Sequence, residues 1–403
     1  MNARAHAKPL SHVRVLDLTN VLAGPFCCHQ LAHMGADVIK VEVPGSGDLA
    51  RQLGGDPALN EKKMGVSFLA QNAGKRSITI NLKSGQGKAL FRKLVKTADV
   101  VVENFRPGVM DRLGVGFDVL KDDNPKLIYC AISGFGQQGP LRDLPAYDQI
   151  VQGMSGVMSI TGAPDTAPYR VGYPVADTVG GMTAAFAIAA ALAEKDRTAH
   201  IIDVSMLEAT MATMGWVVSN YLIAGTVPSP LGNDNFTASP SGTFRTADGL
   251  LNIAANKQEQ FEAVCDVLGQ PALKTDPRFI NRQDRLTHRA ALKDMLEQAM
   301  SGEAASVWRE RLNNAGVPAG EVLSVPQALA HPQIAERGMI AEFKNAPGVE
   351  RDIQLVRSGY KIDGEPARVD NPPPLLGQHT REILTELGYD ESAIARLHEE
   401  RAI

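Results

Sequence analysis

A glycine-rich stretch, residues 153–181, holds the residue best suited to covalent chemistry. Asp177 stands there, followed after two residues by Gly180 and Gly181 and then by an Ala-rich run. Amide groups and the dipole at the start of a helix favour an ionised carboxylate, which can attack an acyl carbon. The two glycines would let a large substrate approach the backbone, and their amides could stabilise an oxyanion. Asp177, Gly180 and Gly181 are therefore candidate catalytic residues.

The same position also has a purely structural explanation. An Asp just before a helix is a common N-cap, because its carboxylate accepts hydrogen bonds from free backbone amides. A simple cap does not require Gly180 and Gly181 in the first turn, where each glycine weakens a helix by up to ~1 kcal/mol. Both interpretations of Asp177 stay open on position alone.

A second group of candidates is basic and could bind phosphate. Lys75 and Arg76 are adjacent, and Arg106 and Arg112 follow a predicted strand that ends at Glu103. Ligands of open α/β sheets bind beyond the carboxyl ends of the strands, and the planar fork of Arg suits phosphate. The alternative for each of these side chains is a solvated surface position.

The sequence contains no motif for a metal site or for a disulfide scaffold. The nine histidines contain no HExxH pair, and His331 and His379 are each isolated. The four cysteines include the adjacent pair Cys27 and Cys28, a spacing that suits neither a CxxC redox pair nor a zinc site. No P-loop or GxSxG motif is present. We therefore predict no metal site and interpret the cysteines as small buried apolar residues.

The length and the net charge of the chain limit the classes of protein to which it can belong. A chain of 403 residues exceeds the usual size of one hydrophobic core, so two domains are expected. The net charge of -4 gives no basic excess for general nucleic-acid binding. Residues 1–13 lack a signal-peptide core, and the most apolar run, residues 182–193, is shorter than the roughly 20 residues that a bilayer requires. These features predict a cytoplasmic protein without a membrane or nucleic-acid partner.

Alternating strand and helix patterns position the candidate residues. Short links between strands and helices are typical of a parallel α/β sheet. No GxGxxG follows the first strand, which disfavours a nicotinamide cofactor. The predicted strands are residues 13–18, 37–42, 76–81, 99–103 and 126–132, and the predicted helices are residues 26–34, 87–97, 178–195 and 205–222.

The pattern changes near residue 225. Residues 243–254 predict a hairpin with Asp248 and Gly249 at its turn, and helices follow at about 258–268, 288–300 and 304–315. A final amphipathic helix begins near Thr380. The predicted organisation is a large domain from residues 1–224, a small α+β domain from 225–330, and a return of residues 331–403 to the large domain.

Several short motifs, taken together in order, resemble one family. The chain resembles the class III CoA-transferases, also called the CaiB/BaiF family, over nearly all of its length. The motifs are Val15–Thr19, Ala23–Pro25, Gly35–Glu42, Lys75–Ser77, Val102–Gly108, Asp111–Gly114, Tyr147–Asp148, Ser155–Gly156, Ala176–Asp177 and Pro373–Thr380.

The resemblance implies both a fold and a reaction. The implied fold is α/β, with a Rossmann-like large domain built from both termini, a small α+β domain and two chains interlocked as a homodimer. The family's catalytic aspartate falls on Asp177. It would attack an acyl-CoA thioester to give an anhydride and then an aspartyl-CoA thioester, with coenzyme A as part of the substrate and no permanently bound cofactor.

The resemblance also implies residues around coenzyme A. Lys75, Asn104 and Arg112 would line it, with Arg76 and Arg106 as neighbouring carry-overs. Phe135 matches a position close to the CoA chain.

Two departures bear on the substrate. The formyl-CoA branch has a glycine run where residues 232–242 stand here, and it has Gln and Arg in place of Leu22 and Val43. Formate and oxalate are therefore not the expected acceptors. The Pro373–Thr380 stretch is nearer to members that use succinyl-CoA and dicarboxylic acids.

Two other functions remain open. A 2-methylacyl-CoA racemase of the same fold needs two proton-transfer groups, but its histidine position is Tyr147 here, and a phenol of pKa near ~10 is a poor base at neutral pH. A non-catalytic CoA-binding module would not need Asp177, so loss of activity with retained CoA binding on Asp177→Ala would exclude it.

Overall fold

A computed structural model of the chain describes residues 8–403. Residues 1–7, part of the segment predicted to lack a signal core, lie outside the described residues. The strands in chain order are β1 Arg14–Asp17, β2 Asp37–Glu42, β3 Arg76–Thr79, β4 Val100–Glu103, β5 Ile128–Ser133, β6 His200–Ser205, β7 Ser241–Arg245, β8 Leu250–Ala254, β9 Ala319–Glu321, β10 Ile340–Phe343, β11 Ile353–Val356, β12 Lys361–Ile362 and β13 Glu365–Pro366.

Helices connect these strands. In chain order they are α1 Ala23–His33, α2 Pro57–Glu61, α3 Val66–Asn72, α4 Gly85–Val95, α5 Val109–Leu113, α6 Phe117–Asp123, α7 Asp148–Met154, α8 Val175–Leu192, α9 Met206–Thr213, α10 Gly215–Ala224, α11 Gln258–Val267, α12 Arg282–Thr287, α13 Arg289–Met300, α14 Ala305–Asn314, α15 Val325–Ala330, α16 Pro332–Glu336, α17 Thr380–Glu386 and α18 Glu391–Glu399.

The chain divides into two compact units. The first contains the described residues up to Val157 together with Arg170–Thr226 and Pro332–Ile403, and the second contains Met158–Tyr169 and Val227–His331. Residues 158–169, assigned to the large domain by the sequence prediction, group with the second unit. The predicted limits of the domains otherwise stay predictions.

A six-stranded parallel sheet organises the first unit, with strand order β3-β2-β1-β4-β5-β6. Its central strands are almost wholly apolar: β4 reads Val-Val-Val-Glu and is buried throughout. Such runs are typical of parallel strands covered by helices on both faces. One apolar core forms with α4, α17 and α18, and a second with α1 and α8. The predicted α/β class is confirmed.

Three elements of this unit differ from the sequence prediction. Strand β6, which pairs with β5 over six positions, was not predicted. The predicted helix 205–222 is two helices, α9 and α10, which meet at Met214 and Gly215. Helix α8 begins three residues earlier than predicted, at Val175, and this changes the position of Asp177.

The second unit is an antiparallel sheet with helices. The predicted hairpin is present as β7 and β8, and β9 adds a third strand beside β8. Helices α11, α13 and α14 cover a core that includes Phe261, Leu292, Leu296 and Leu312. The predicted α+β character of this part of the chain therefore agrees with its own sheet and core.

Helix α8 is also the one helix among residues 8–403 that is long and apolar enough, by length and composition, to cross a membrane. It contains 18 residues, more than the apolar run taken from the sequence. Core helices of other proteins meet the same criterion, and Asp177 lies within the first turn of this one.

Candidate active site

The topology of the sheet marks one place for a ligand. Strand order reverses between β1 and β4, and open α/β sheets bind ligands at the carboxyl ends of the strands at such a point. Two asparagines join the loops that follow these strands. The Asn20 amide donates to Asn104 Oδ1 at 2.8 Å, and Asn104 Nδ2 donates to the Asn20 carbonyl at 2.9 Å. This pair fixes the two loops to each other.

A cavity of about 330 Å³ opens beside this asparagine pair, and Asp177 lies in its wall. The wall is mainly apolar, which favours the acyl part of a substrate over a free ion. No cationic side chain of residues 8–403 is part of the wall. The cavity is lined by Asn20, Val21, Leu22, Ala23, Leu49, Asn104, Phe105, Ile132, Ser133, Gly134, Ala146, Tyr147, Asp177 and Met206.

Asp177 lies within the first turn of α8 and does not cap the helix. The helix begins at Val175 and its N-cap is Pro174, so the N-cap interpretation of Asp177 is wrong. The free amides at this helix end are satisfied by Asp148 on α7. Asp148 Oδ1 accepts from the Ala176 amide at 2.9 Å and from the Asp177 amide at 3.4 Å. The Asp177 carboxylate is thereby left available to the cavity.

The electrostatic setting of Asp177 differs from the one that the sequence predicts. Burial, and to a lesser extent the negative charge of Asp148, together raise the pKa of Asp177 to about 7. The expected helix-end stabilisation of the carboxylate is therefore outweighed, because the helix-end amides already bind Asp148. Perturbed carboxyl groups in a cleft are typical of functional sites.

Gly180 and Gly181 are explained by packing. A Cβ on Gly181 would overlap the carbonyl oxygen of Ala23 on α1, and a Cβ on Gly180 would lie 2.8 Å from Met206 Cγ. Both glycines lie in the second turn of α8, where backbone amides bond to the preceding turn. Their predicted oxyanion role has no geometric support, and they allow α1 and α9 to approach the helix that bears Asp177.

A second cavity of about 310 Å³ lies at the carboxyl ends of β1 to β4. It shares Asn20 and Phe105 with the Asp177 cavity. Its wall combines apolar side chains with Lys83, which is exposed. The cavity is lined by Leu18, Thr19, Asn20, Val41, Glu42, Val43, Gly47, Asp48, Ile80, Asn81, Leu82, Lys83, Phe105, Val109 and Leu113.

The basic candidates separate into two groups. Arg106 and Arg112 are exposed on the loop and helix α5 that follow β4, near the carboxyl edge of the sheet. Lys75 is fully buried, with Nζ 2.8 Å from Asp17 Oδ2 and 3.0 Å from the Pro25 carbonyl. Its ammonium is therefore occupied within the fold rather than directed at a ligand.

Arg76 lies at the amino end of β3, and the cavities lie at the carboxyl ends of the strands. It is the first residue of β3 and forms ion pairs with Asp37, Glu382 and Glu386. This cluster joins β2 and β3 to helix α17. The structure therefore places Arg76, like Lys75, away from both cavities, and their predicted contact with CoA is not supported by their positions.

Phe135 and the two branch positions lie near the cavities. Phe135 is half-buried and follows Gly134, which lines the Asp177 cavity. Leu22 lines the same cavity, and Val43 is exposed at the second one. The segment 232–242 contributes to a cavity of about 520 Å³ within the second unit.

Sequence reasoning missed Lys83, Asn20 and Leu49 as cavity residues. A signal for Lys83 was present, since it follows β3 on the carboxyl side, where ligands of parallel sheets bind. Leu49 carried no such signal because it reaches the cavity from a 3₁₀ turn, Leu49–Gln52. Within residues 8–403 the structure contains no cluster of three or more potential metal-ligating side chains.

Comparison with known proteins decides the family. The model of CoA-transferase family III matches residues 10–380. The chain belongs to CoA-transferase family III. The resemblance drawn from the short motifs is thereby confirmed, and so is the prediction of an enzyme of the CoA-transferase class.

Relatives and solved structures of CoA-transferase family III agree over most of the chain. An acetyl-CoA:oxalate CoA-transferase of Acetobacter aceti is 44% identical, covering 82% of this chain and 85% of that protein. A succinate–glutarate CoA-transferase of Agrobacterium fabrum is 40% identical, covering 94% and 96%. The crystal structure of a CaiB/BaiF family protein from Brucella suis is similar with a TM-score of 0.82 and 34% identity, covering 94% of this chain and 99% of that one.

Proposed function

We propose that this family III enzyme transfers coenzyme A between carboxylic acids through covalent intermediates on Asp177. The observation that carries the proposal is the Asp177 carboxyl group in the wall of a mainly apolar cavity at the switch point of the sheet. A non-catalytic CoA-binding module has no need of a half-buried carboxyl group there. A racemase needs a second proton-transfer group, and the neighbouring position in this cavity is Tyr147.

The proposed reaction has four steps. An Asp177 oxygen attacks the thioester carbon of the donor, the C–S bond breaks, and an acyl-aspartyl anhydride and CoA thiolate result. The thiolate attacks the aspartyl carbonyl and releases the donor acid, which leaves an aspartyl-CoA thioester. The acceptor carboxylate attacks this thioester and releases the thiolate. The thiolate then attacks the acceptor's carbonyl in the new anhydride and regenerates the Asp177 carboxylate.

The cavity environment suits these steps. A carboxylate with a pKa raised to about 7 is more basic, and hence a stronger nucleophile, than a solvated one, while a useful fraction remains ionised at neutral pH. The reaction replaces one thioester by another with a similar free energy of hydrolysis, so it requires no nucleoside triphosphate.

The second cavity is the proposed site for the nucleotide end of coenzyme A. Its apolar wall suits an adenine ring, and Lys83, Arg106 and Arg112 stand at the same edge of the sheet to attract phosphates. The cavities share Asn20 and Phe105, so one extended ligand could occupy both. Lys83 thus replaces Lys75 as the lysine proposed to bind CoA.

Succinyl-CoA is the proposed donor and a dicarboxylic acid the proposed acceptor. Relatives named for succinate–glutarate and succinyl-CoA:D-citramalate exchange support this choice. The relative named for oxalate is also similar, so oxalate belongs among the acceptors to be tested even though the residues at positions 22 and 43 disfavour it.

An exchange assay read by mass spectrometry tests the function. Succinyl-CoA or acetyl-CoA is supplied with a pool of glutarate, citramalate, mesaconate, oxalate and monocarboxylic acids. The parent protein is expected to form new acyl-CoA species, and Asp177→Asn, which keeps the shape of the side chain, is expected to form none. Failure of the parent with every donor would reject the transferase.

Hydroxylamine provides a test of the covalent intermediate. Acyl-CoA with hydroxylamine is expected to inactivate the enzyme and to leave a hydroxamate on Asp177, located by peptide mass spectrometry. A hydroxamate on another residue would contradict the proposed nucleophile. Hydroxylamine without acyl-CoA is the control and is expected to leave the activity unchanged.

The interlocked homodimer implied by the family resemblance is also proposed. Large apolar side chains are exposed on the first unit at Phe186 of α8 and at Leu222 and Ile223 of α10, with Ile223 at 85% exposure. Several large apolar side chains left exposed on two helices of one unit favour a protein interface there. Analytical ultracentrifugation at micromolar concentration should give a dimer mass, and a monomer that remains active would contradict the proposal.

A further inference from the structure

The loop between β1 and α1 has an unusual backbone at Val21, which lies in the wall of the Asp177 cavity. Its φ is +67°, in the left-handed region that β-branched residues rarely adopt. Such a conformation persists only where the surroundings hold it, and it is concentrated at functional sites. Helix α1 begins two residues later, so Val21 decides how Leu22 and Ala23 enter the cavity wall.

Neighbouring elements hold this loop one residue at a time. Lys40 Nζ donates to the Thr19 carbonyl at 2.9 Å, and Asn104 bonds both backbone groups of Asn20. The Val21 amide donates to Asp48 Oδ1 at 3.0 Å. This hydrogen bond to Asp48 is the one that the strained residue, Val21, makes itself.

Asp48 joins two walls of the cavity. The oxygen that accepts from Val21 also accepts from the Ala50 amide at 2.9 Å and so caps the 3₁₀ turn that carries Leu49 to the cavity. The other oxygen lies 3.0 Å from the buried ammonium of Lys40. Because Asp48 and Lys40 are both buried, this carboxylate has little freedom to move.

We infer that Asp48 is a positioning residue for the chemistry at Asp177: it holds Val21 in the left-handed conformation and thereby fixes Leu22 and Ala23, which line the same cavity as the nucleophile. This inference rests on the proposed function. Asp48 does not line the Asp177 cavity, although it lines the second cavity, which is proposed for the nucleotide end of CoA. Its effect passes through the backbone of the loop, so it should appear in kcat, because a misplaced wall costs transition-state geometry more than it costs ground-state binding.

The central test is a double-mutant cycle between positions 48 and 21. Asp48→Ala is expected to lower kcat by about tenfold to a hundredfold. Because Asp48 also lines the cavity proposed for the nucleotide end of CoA, the KM for acyl-CoA is expected to rise as well, and kcat is the deciding quantity. Glycine adopts positive φ without strain, so Val21→Gly should make the loop independent of Asp48. The double variant is therefore expected to have a kcat within about threefold of Val21→Gly alone. Asp48→Asn keeps an acceptor oxygen and should lie between Asp48→Ala and the parent.

A matched control separates positioning from loss of a cap. Asp56 caps α2 through the Leu59 amide at 3.3 Å and lines neither cavity. Asp56→Ala should lower the melting temperature but leave kcat unchanged. If Asp48→Ala is folded by circular dichroism and keeps the parent kcat, or if Val21→Gly gives the double variant no recovery, the inference is wrong.

A stability comparison tests the strain without any activity. Glycine normally destabilises a loop relative to alanine, because it has more freedom to lose on folding. At a strained left-handed position the order reverses, so Val21→Gly is expected to melt at a higher temperature than Val21→Ala. The opposite order would overturn the inference. If the parent exchanges no CoA, the proposed function fails and the catalytic part of the inference with it, while this comparison still decides whether the loop is strained.

Discussion

Asp148 caps the helix that carries Asp177 and at the same time opposes the ionisation of Asp177. Its Oδ1 accepts from the Ala176 and Asp177 amides, and its charge helps to raise the Asp177 pKa to about 7. Gln152 holds the other oxygen of Asp148 at 2.7 Å, and Arg170 Nη2 stands 3.6 Å from it. One buried carboxylate therefore fixes the helix end that carries the proposed nucleophile and also adds to the effect of burial on its pKa.

The first prediction concerns the pH dependence of catalysis. A protonated carboxyl group does not attack a thioester, so kcat/KM should rise with pH through about 7 and then level off. Asp148→Asn removes a negative charge and should move this rise to lower pH. The measurement is kcat/KM for acyl-CoA from pH 5 to 9, and an unchanged midpoint in the variant would exclude the charge of Asp148 as a cause.

The second prediction is that Asp177 reduces stability at neutral pH. Its folded-state pKa is raised above the value of 3.8, so folding favours the protonated form and the cost of Asp177 grows as pH rises from about 4 to 7. Asp177→Asn should therefore stabilise the protein at pH 8 by on the order of 1–3 kcal/mol, a value discounted for partial solvent screening.

Thermal unfolding at two pH values checks the second prediction. The stabilising effect of Asp177→Asn should be near zero at pH 4, where the parent carboxyl group is neutral. An equal effect at both pH values would indicate a cause other than ionisation.

The third prediction concerns two histidines on α1 whose rings are in contact. The rings of His29 and His33 lie 3.7 Å apart between centroids. Burial, together with the charges of Lys75 and Arg357, lowers the pKa of His33 to about 4. Burial also places the pKa of His29 well below its usual value. Because the histidine pKa is lower in the folded protein, the unfolded chain binds more protons than the folded protein does between about pH 4 and 6.5. Stability should therefore be complete above pH 6.5 and fall as pH decreases from about 6.5 to 4.

Denaturant unfolding over this pH range measures the effect of the histidine pair. His29→Phe should make the fall shallower by up to about 1.4 kcal/mol per pH unit, the value for one proton. His12→Gln, at an exposed position before β1, is the matched control and should keep the parent slope. Equal slopes in the His29→Phe variant and the parent would contradict the prediction.

The fourth prediction is that Gly181 cannot be replaced. A methyl group there would overlap the Ala23 carbonyl and separate α1 from α8, at a cost of about 1–3 kcal/mol. Because Ala23 and Asp177 line the same cavity, Gly181→Ala should also lower kcat. Gly215→Ala in α10 meets open space and should be neutral or stabilising by about 0.5–1 kcal/mol. Similar melting temperatures for the two variants would reject the packing explanation.

The fifth prediction separates the basic residues. Arg112→Gln and Lys83→Gln should raise the KM for acyl-CoA by about tenfold, the equivalent of one lost charged contact. Arg76→Gln should leave this KM unchanged and lower the melting temperature, because Arg76 is engaged by Asp37, Glu382 and Glu386. A higher KM in Arg76→Gln would restore its predicted role in CoA binding.

The sequence by itself was sufficient for the α/β class, the family and Asp177 as the candidate nucleophile. Apolar runs such as Val100–Glu103 predict buried parallel strands directly, since burial on both faces leaves no polar alternation. The short motifs, taken in order from Val15–Thr19 to Pro373–Thr380, indicate the family without any structure.

Tertiary structure decided the roles of the residues around Asp177. Adjacent residues such as Lys75 and Arg76 carry the same charge in the sequence, yet one is buried against Asp17 and the other pairs at the far edge of the sheet. The close packing of Gly180 against α9 and of Gly181 against α1 could not be predicted from the sequence. The strained backbone of Val21 and its bond to Asp48 join segments 27 residues apart. The role of a charged side chain or of a strained backbone depends on the residues that contact it. Where those residues are distant in sequence, the contacts form only when the folded sheet brings the ends of its strands together.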